Sequence, residues 1–267
     1  MRRFRRVITL TTDFGADSPY VAQMKASILA INLDAVIVDI THSVPAQDIY
    51  HAAFLLRDIV PSFPPGTIHV VVIDPGVGTD RSILLAQIGQ QWVIAPDNGL
   101  IAGLAMDESP NLLFEVTDRK LWKPHVSNTF HGRDIMAPVA AHLSRDVHPA
   151  EVGPAITSYQ NTNWTEPVPQ GHSIAGAIVW IDAFGNLITN IGPSGMPDVD
   201  PGLCVVRCAD RELTGLSATY GERPMGSLVA IWGSNGRLEL AIVCGNAAQV
   251  LDAKIGDSVT ISWKMTG

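Results

Sequence analysis

The stretch VVVIDPGVGTDRSILL, Val70 to Leu85, sets Asp74 at the end of a buried-strand pattern and Arg81 where the next strand starts. A carboxylate beside a guanidinium can hold a small polar molecule and share proton density with it. The same residues also suit an ordinary strand exit, because Asp before Pro and closely spaced glycines are turn chemistry. Three more Asp leave apolar runs in a similar way: Asp13 in TTDFG, Asp39 in VDITH and Asp97 in APDNG. Ligands of parallel α/β sheets bind beyond the carboxyl ends of the strands, so four carboxylates at one edge imply a polar pocket. His131 in TFHGRD sits at a predicted helix start and would complete an acid–base group with Asp74 and Arg81. Arg133 and Asp134 beside it pair locally or cap that helix. PGVGTDR is a poor dinucleotide loop, since Arg81 occupies the third glycine position, and no Gly-Lys pair exists for a phosphate-binding loop.

The elements that must position these groups alternate in the first half. RVITLTT (6–12), AVIVDI (35–40) and TIHVVVID (67–74) read as strands, the middle one buried. SILLAQI and WVIA are shorter strands. YVAQMKASILAIN (20–32) has helical period, with Val21, Met24, Ile28 and Ile31 on one face. AQDIYHAAFLLRDIV (46–60) and RDIMAPVAAHLSR (133–145) are further helices, the last with Pro138 as a local defect. Such alternation predicts an α/β domain with a mostly parallel sheet between helices. Residues 154–172 are polar, carry three prolines and lack an apolar period, as a linker would. Beyond them, short strand-like runs separated by Gly, Asn and Pro predict a smaller all-β, barrel-like C-terminal domain. The expected division is 1–165 and 166–267. In that second half, DAFGNLITN and WGSNGRLELAIVCGNAA concentrate turn residues, and their Asn side chains also offer the donor–acceptor pair of an adenine edge.

Composition narrows the class. The chain has 267 residues, 46% hydrophobic and only 16% charged, which suits a large core and self-association. A net charge of −8 leaves no basic footprint for nucleic acid. MRRFRR is followed by Thr11 and Asp13 rather than a secretory apolar region, and no window approaches a membrane span, so a cytoplasmic protein without membrane contact is expected. Cys204, Cys208 and Cys244 lack the further ligands of a zinc site and read as small buried hydrophobes.

In their order and spacing, TTDFG…YVAQMK, VVVIDPGVGTDR, PDNGL, TFHGRD, FGN and GSNGRLELA…GNAA closely resemble the S-adenosyl-L-methionine (SAM) hydroxide adenosyltransferases. These are adenosine-forming SAM hydrolases related to the fluorinase and chlorinase enzymes. The resemblance spans about 7 to 263. It implies a homotrimer with SAM bound between the N-terminal domain of one subunit and the C-terminal domain of the next. It implies no metal and no cofactor, SAM being the substrate. It places the hydrolytic group on Asp74, Arg81 and His131. Halogenating relatives have Tyr, and Thr three residues later, where this chain has Asp74 and Val77, and Tyr-Ser in place of His131-Gly132. The resemblance puts Asp13 on the ribose hydroxyls, and Phe184, Asn186, Asn246 and Ala247 on adenine with Tyr220 stacked against it. Ser234 and Asn235 fall at the methionine end. The family usually has Asp five residues after Asp13; this chain has Ser18 there and Asp17 one place earlier, and both stand as candidates for the substrate's amino group.

The implied reaction is in-line attack of water on the ribose 5′ carbon, with methionine leaving as a neutral thioether. Asp74 would orient the water, His131 would relay its proton, and an apolar wall including Val77 would exclude other solvent. Other classes fit parts of the pattern: a Mg²⁺-dependent phosphohydrolase on the Asp-rich edge, a SAM-dependent halogenase, and a non-catalytic SAM or adenosine sensor.

Overall fold

Apolar runs of five or six residues form the central strands, and the segments of helical period cover them. The computed structural model describes residues 6–162, 164 and 166–264. The chain divides into two compact units after Trp164.

In the first unit the strands are β1 (Val7–Thr12), β2 (Val36–Thr41), β3 (Ile68–Val72), β4 (Ile83–Ile88), β5 (Gln91–Pro96) and β6 (Leu112–Glu115). They form one sheet in the order β2-β1-β3-β5-β4-β6. The first four in that order are mutually parallel, and β4 runs antiparallel to both β5 and β6. Only Gly89 and Gln90 separate β4 from β5, and so short a loop permits a hairpin but not a parallel crossover. The helices are α1 (Pro19–Ile31), α2 (Ile49–Ile59), α3 (Leu100–Leu104) and α4 (Ala137–Ser144). Ser18 caps α1 by accepting from the Tyr20 N–H, and Pro19 starts it with its fixed φ. Met24 and Ile28 of α1 join Val139 and Ala140 of α4 in a core with Ile8, Leu10, Ile68, Val70 and Ile94. The alternate strand residues Thr9, Thr11, His69, Val71 and Val93 are equally buried, so both faces of the sheet are covered.

Three readings of the sequence change here. β2 is an edge strand paired only with β1, so Val36 and Val38 are 39% and 36% exposed rather than buried. Asp39 lies inside β2, opposite Leu10, and bonds Lys25 at 2.5 Å; it does not end a strand. The first part of the polar stretch after residue 154 is packed rather than free. The Gln160 N–H donates to Asp97, and Trp164 stacks on Tyr50 with ring centroids 4.9 Å apart.

The second unit holds β7 (Val168–Gln170), β8 (Ser173–Ile181), β9 (Leu187–Thr189), β10 (Cys204–Cys208), β11 (Arg211–Thr214), β12 (Leu228–Trp232), β13 (Leu238–Ile242) and β14 (Ser258–Trp263), with α5 (Ala247–Leu251). These strands form an antiparallel, barrel-like sheet in the order β11-β10-β14-β8-β9-β13-β12, with β7 on β8. A Ser217 N–H to Ala230 C=O bond draws the chain after β11 toward β12, the opposite edge. Ile174, Ile178, Val206, Leu240, Val259 and Ile261 fill its core. Cys204 and Cys208 are buried as expected, whereas Cys244 is exposed because it lies in the turn after β13 with φ +54°. Among the described residues, no helix is long and apolar enough to cross a membrane.

Candidate active site

The loop after β3 folds back on itself. Val77 N–H donates to Asp74 C=O, and the Thr79 hydroxyl and N–H both donate to Gly76 C=O. Gly78 makes this possible: its φ is +79°, and a Cβ there would lie 2.2 Å from the Asn128 carbonyl oxygen. The loop therefore returns Arg81 to Asp74. Arg81 Nε donates to Asp74 Oδ1 at 2.7 Å, and its Nη2 bonds Oδ2 of the same carboxylate. The two side chains are 10% and 5% exposed. The same Nη2 lies 2.9 Å from His131 Nδ1. A guanidinium only donates, so Nδ1 accepts, and a neutral His131 carries its proton on Nε2. Burial and the Arg81 charge hold His131 below the ordinary histidine pKa, against the opposing pull of Asp74 and Asp134.

His131 is positioned by an irregular helix start. Residues Gly132–Met136 form a π turn leading into α4. Pro138 cannot donate to the Asp134 carbonyl, and Lys123 N–H takes that acceptor instead at 2.9 Å. Gly132 lies close against β3, since a Cβ on it would meet both Val72 methyls at 3.0 Å. The Asp134 carboxylate is buried and anchors the segment by accepting from Arg133 at 2.7 and 2.8 Å and from Ser127 N–H at 2.9 Å. Burial pushes Asp134 up, but these donors more than offset that, and it lies below the usual carboxylate range.

Asp13 follows β1 and accepts from the Gln47 N–H at 2.8 Å through Oδ2. Ser18 is committed to capping α1, and Asp17 is exposed. Phe14, Tyr20 and Phe130 pack edge to face with centroids 5.3–5.8 Å apart, tying the Asp13–Ser18 segment to the residue before His131. The sequence reading did not anticipate this aromatic cluster, although Phe14 and Phe130 adjoin the two motif residues. A cleft of about 580 Å³ opens beside the Arg81–His131 pair and is bordered by Ser82, Glu115, Trp122 and Lys123. Another of about 570 Å³ lies at the opposite end of the strands, around Phe63 and Gln91.

The remaining motif residues gather on the second unit. Asp182 closes the loop that carries Phe184 and Asn186. Its Oδ1 accepts from both of their N–H groups, and its Oδ2 accepts from Asn186 Nδ2, all at 2.9 Å. Gly185 has φ +83°, and a Cβ there would sit 2.1 Å from the Asn246 amide carbon, so the two loops touch at that residue. Asn246 caps α5 by accepting from Gln249 N–H, while Ala247 is buried. Phe184 is 76% exposed, as a ring offered to a ligand would be. The Tyr220 hydroxyl donates to Glu239 at 2.6 Å, and burial, together with this bond, pushes its pKa up. Glu239 is itself buried and raised, by burial and by Asp182, although the Tyr220 bond acts in the other direction. A Cβ on Gly233 would lie 2.7 Å from Glu239, which brings the β12–β13 turn with Ser234 and Asn235 against the same carboxylate. Asp182 and Glu239 were missed in the sequence. Their signals were an acid four residues before Asn186 and a lone charge within the apolar run LELAI.

Among the described residues, no three His, Cys, Asp or Glu gather as a metal site needs. The first unit carries a bonded carboxylate–guanidinium–imidazole string, and the second carries its own set of hydrogen-bonding groups beside an exposed aromatic ring. A string of the first kind suits group-transfer chemistry on a small polar molecule. Residues 8–153 match the family model of the SAM hydroxide adenosyltransferase N-terminal domain, and residues 176–260 that of its C-terminal domain. The chain belongs to the SAM hydroxide adenosyltransferase family. It is 33% identical to the (R)-S-adenosyl-L-methionine hydrolase of Thermus thermophilus, over 96% of this chain and 99% of that one. It is 29% identical to a fluorinase of Actinoplanes sp., over 96% and 97% of the two chains. The crystal structure of a conserved protein from Thermotoga maritima superposes with a TM-score of 0.90 at 36% identity, over 96% of this chain and all of that one.

Proposed function

We propose that the protein hydrolyses SAM to adenosine and L-methionine. The observation that carries the reading is the bonded string Asp74–Arg81–His131, whose ends are 57 residues apart in the chain. Its occurrence in a family member, and in a relative of a named SAM hydrolase, supports this chemistry. A water oxygen forms its bond to C5′ of the ribose, and the C5′–S bond breaks with its electron pair passing to sulfur. Methionine leaves neutral, and the proton lost by water goes to solvent. Because the sulfonium is already a good leaving group, no metal is required, and the protein's main contribution is orientation.

Asp74 accepts a hydrogen bond from the attacking water and fixes its lone pair toward C5′. With Nδ1 held by Arg81, His131 has its Nε2–H to offer. It therefore serves as a donor that completes the water's position, in place of the proton relay anticipated from sequence. Asp13 holds the ribose hydroxyls. Phe184, Asn186, Tyr220, Asn246 and Ala247 hold adenine, and Ser234 and Asn235 hold the methionine end. Ser18 is already engaged as a helix cap, which favours Asp17 for the amino group. The two sets of residues belong to one site through assembly as a homotrimer in the cytoplasm, the first unit of one subunit meeting the second unit of the next.

A halogenating activity is the reading a fluorinase relative would suggest. The Asp74 carboxylate disfavours it, because a halide at the same spot would face a like charge. Incubation of the purified protein with SAM, with adenosine resolved from methylthioadenosine and from 5′-halo-adenosine, tests the proposal. Adenosine and methionine in equal amounts are expected; intact SAM, or a halogenated nucleoside when halide is present, refutes it.

A further inference from the structure

We infer that Asp182 sets the base selectivity of the site by fixing which end of the Asn186 amide faces outward. The inference rests on the assignment of Asn186 and Asn246 to adenine made above. A carboxylate only accepts hydrogen bonds, so its contact with Asn186 at 2.9 Å must be to Nδ2. Asn186 Oδ1 is thereby the end turned away from Asp182, and it has no partner among the described residues. Asn246 is held in the opposite sense. Its Oδ1 is taken by the Gln249 N–H at 2.8 Å, which leaves Nδ2 to donate. The close fit of Gly185 against the Asn246 amide brings the two together. Two neighbouring amides thus present a fixed acceptor and a fixed donor, each locked by a local partner that cannot reverse its role.

That pattern fits an aminopurine. The exocyclic amine of adenine donates and its ring nitrogens accept. A 6-ketopurine presents an acceptor where the amine was, facing Asn186 Oδ1. The amide cannot turn to meet it, because Oδ1 would then face the Asp182 carboxylate. A site whose buried polar groups are left facing like groups rejects the wrong ligand strongly. Asp182 is accordingly a positioning residue that acts through Asn186.

The test compares kcat/KM for SAM and for S-inosyl-L-methionine, in which a 6-keto group replaces the 6-amino group. The wild-type protein should prefer SAM by at least about 100-fold. In Asp182→Asn, Oδ1 of the new side chain still accepts from the Phe184 and Asn186 N–H groups, so the loop stays closed. Its amide nitrogen now replaces the second carboxylate oxygen, Asn186 turns its own Oδ1 inward to accept, and Nδ2 faces the base. The preference for SAM should fall by about tenfold or more. A merely structural role would lower both substrates equally and leave the ratio unchanged, which overturns the inference while leaving the hydrolase reading intact. A wild-type protein that leaves SAM untouched overturns both. Should the variant fail to fold, calorimetry of adenosine and inosine on the wild-type protein decides: adenosine should bind at least about tenfold tighter, and equal affinities refute the inference.

Discussion

Arg81→Lys keeps the charge beside Asp74 and removes the fork. In the native site, Nε and Nη2 hold both Asp74 oxygens, and Nη2 also reaches His131 Nδ1. A lysine has one nitrogen on a flexible stem and cannot reproduce two parallel bonds plus a third at a fixed angle. Losing one or two charge-assisted bonds, each worth about 1.5–3 kcal/mol, should destabilise the protein by about 2–4 kcal/mol, since side chains only 10% and 5% exposed are little screened by solvent. The chemical effect should fall on turnover. Asp74 and the His131 ring lose their common support, so the water they are proposed to hold would lose its direction, and kcat should drop by about 10² to 10⁴. KM should move by less than about threefold, because the proposal assigns adenine, ribose and methionine to other residues. Adenosine formation under saturating SAM gives kcat, and urea unfolding gives the stability change. A kcat within about threefold of wild type, or a raised KM with kcat intact, would refute the placement of Arg81 at the reacting water.

Further outcomes follow from the same geometry. His131 must be neutral to accept from Arg81, and burial and Arg81 lower its pKa, so activity should be full above 6.5 and lost only as pH falls through that lowered value; a pH–rate profile with its acid limb above 6.5 contradicts this. His69 is fully buried against the Thr9 hydroxyl, and burial pushes its pKa down to about 4. The stability it contributes is present above 6.5 and lost as pH falls from 6.5 toward 4, about 3 kcal/mol in all. Urea titrations across that range should show the slope in wild type and a flatter one in Thr9→Val/His69→Leu. Gly78→Ala forces a left-handed φ on a residue with a Cβ and drives it against the Asn128 carbonyl. It should cost more than about 1–2 kcal/mol and reduce turnover by moving Arg81; unchanged stability and kcat would show that the loop adapts. Chelator should leave SAM turnover unchanged, whereas loss of activity restored by Mg²⁺ would contradict the metal-free mechanism.

Elements whose burial is local were readable in the sequence. Val21, Met24 and Ile28 lie on the buried face of α1 because helical period alone decides it. The exposure of β2 was not readable, because a run of Val and Ile reads the same in a central strand as at an edge, and only the strand order decides. The π turn before α4 could be suspected from Pro138, but its repair by Lys123 depends on a segment brought in by tertiary contact. Asp74 and Arg81 were legible as a pair because one short loop joins them. His131 was placed beside them by the combined motifs and not by any spacing. Asp182 and Glu239 escaped notice because each acts by holding another side chain, and that partnership has no signature in residue type.

The central claim is that water held by Asp74 and His131 attacks the ribose 5′ carbon. Turnover of SAM in ¹⁸O-labelled water, followed by mass spectrometry of both products, tests it most directly. One labelled oxygen in the 5′-hydroxyl of adenosine and none in methionine is the predicted result. Unlabelled adenosine, or cleavage to methylthioadenosine, would contradict it.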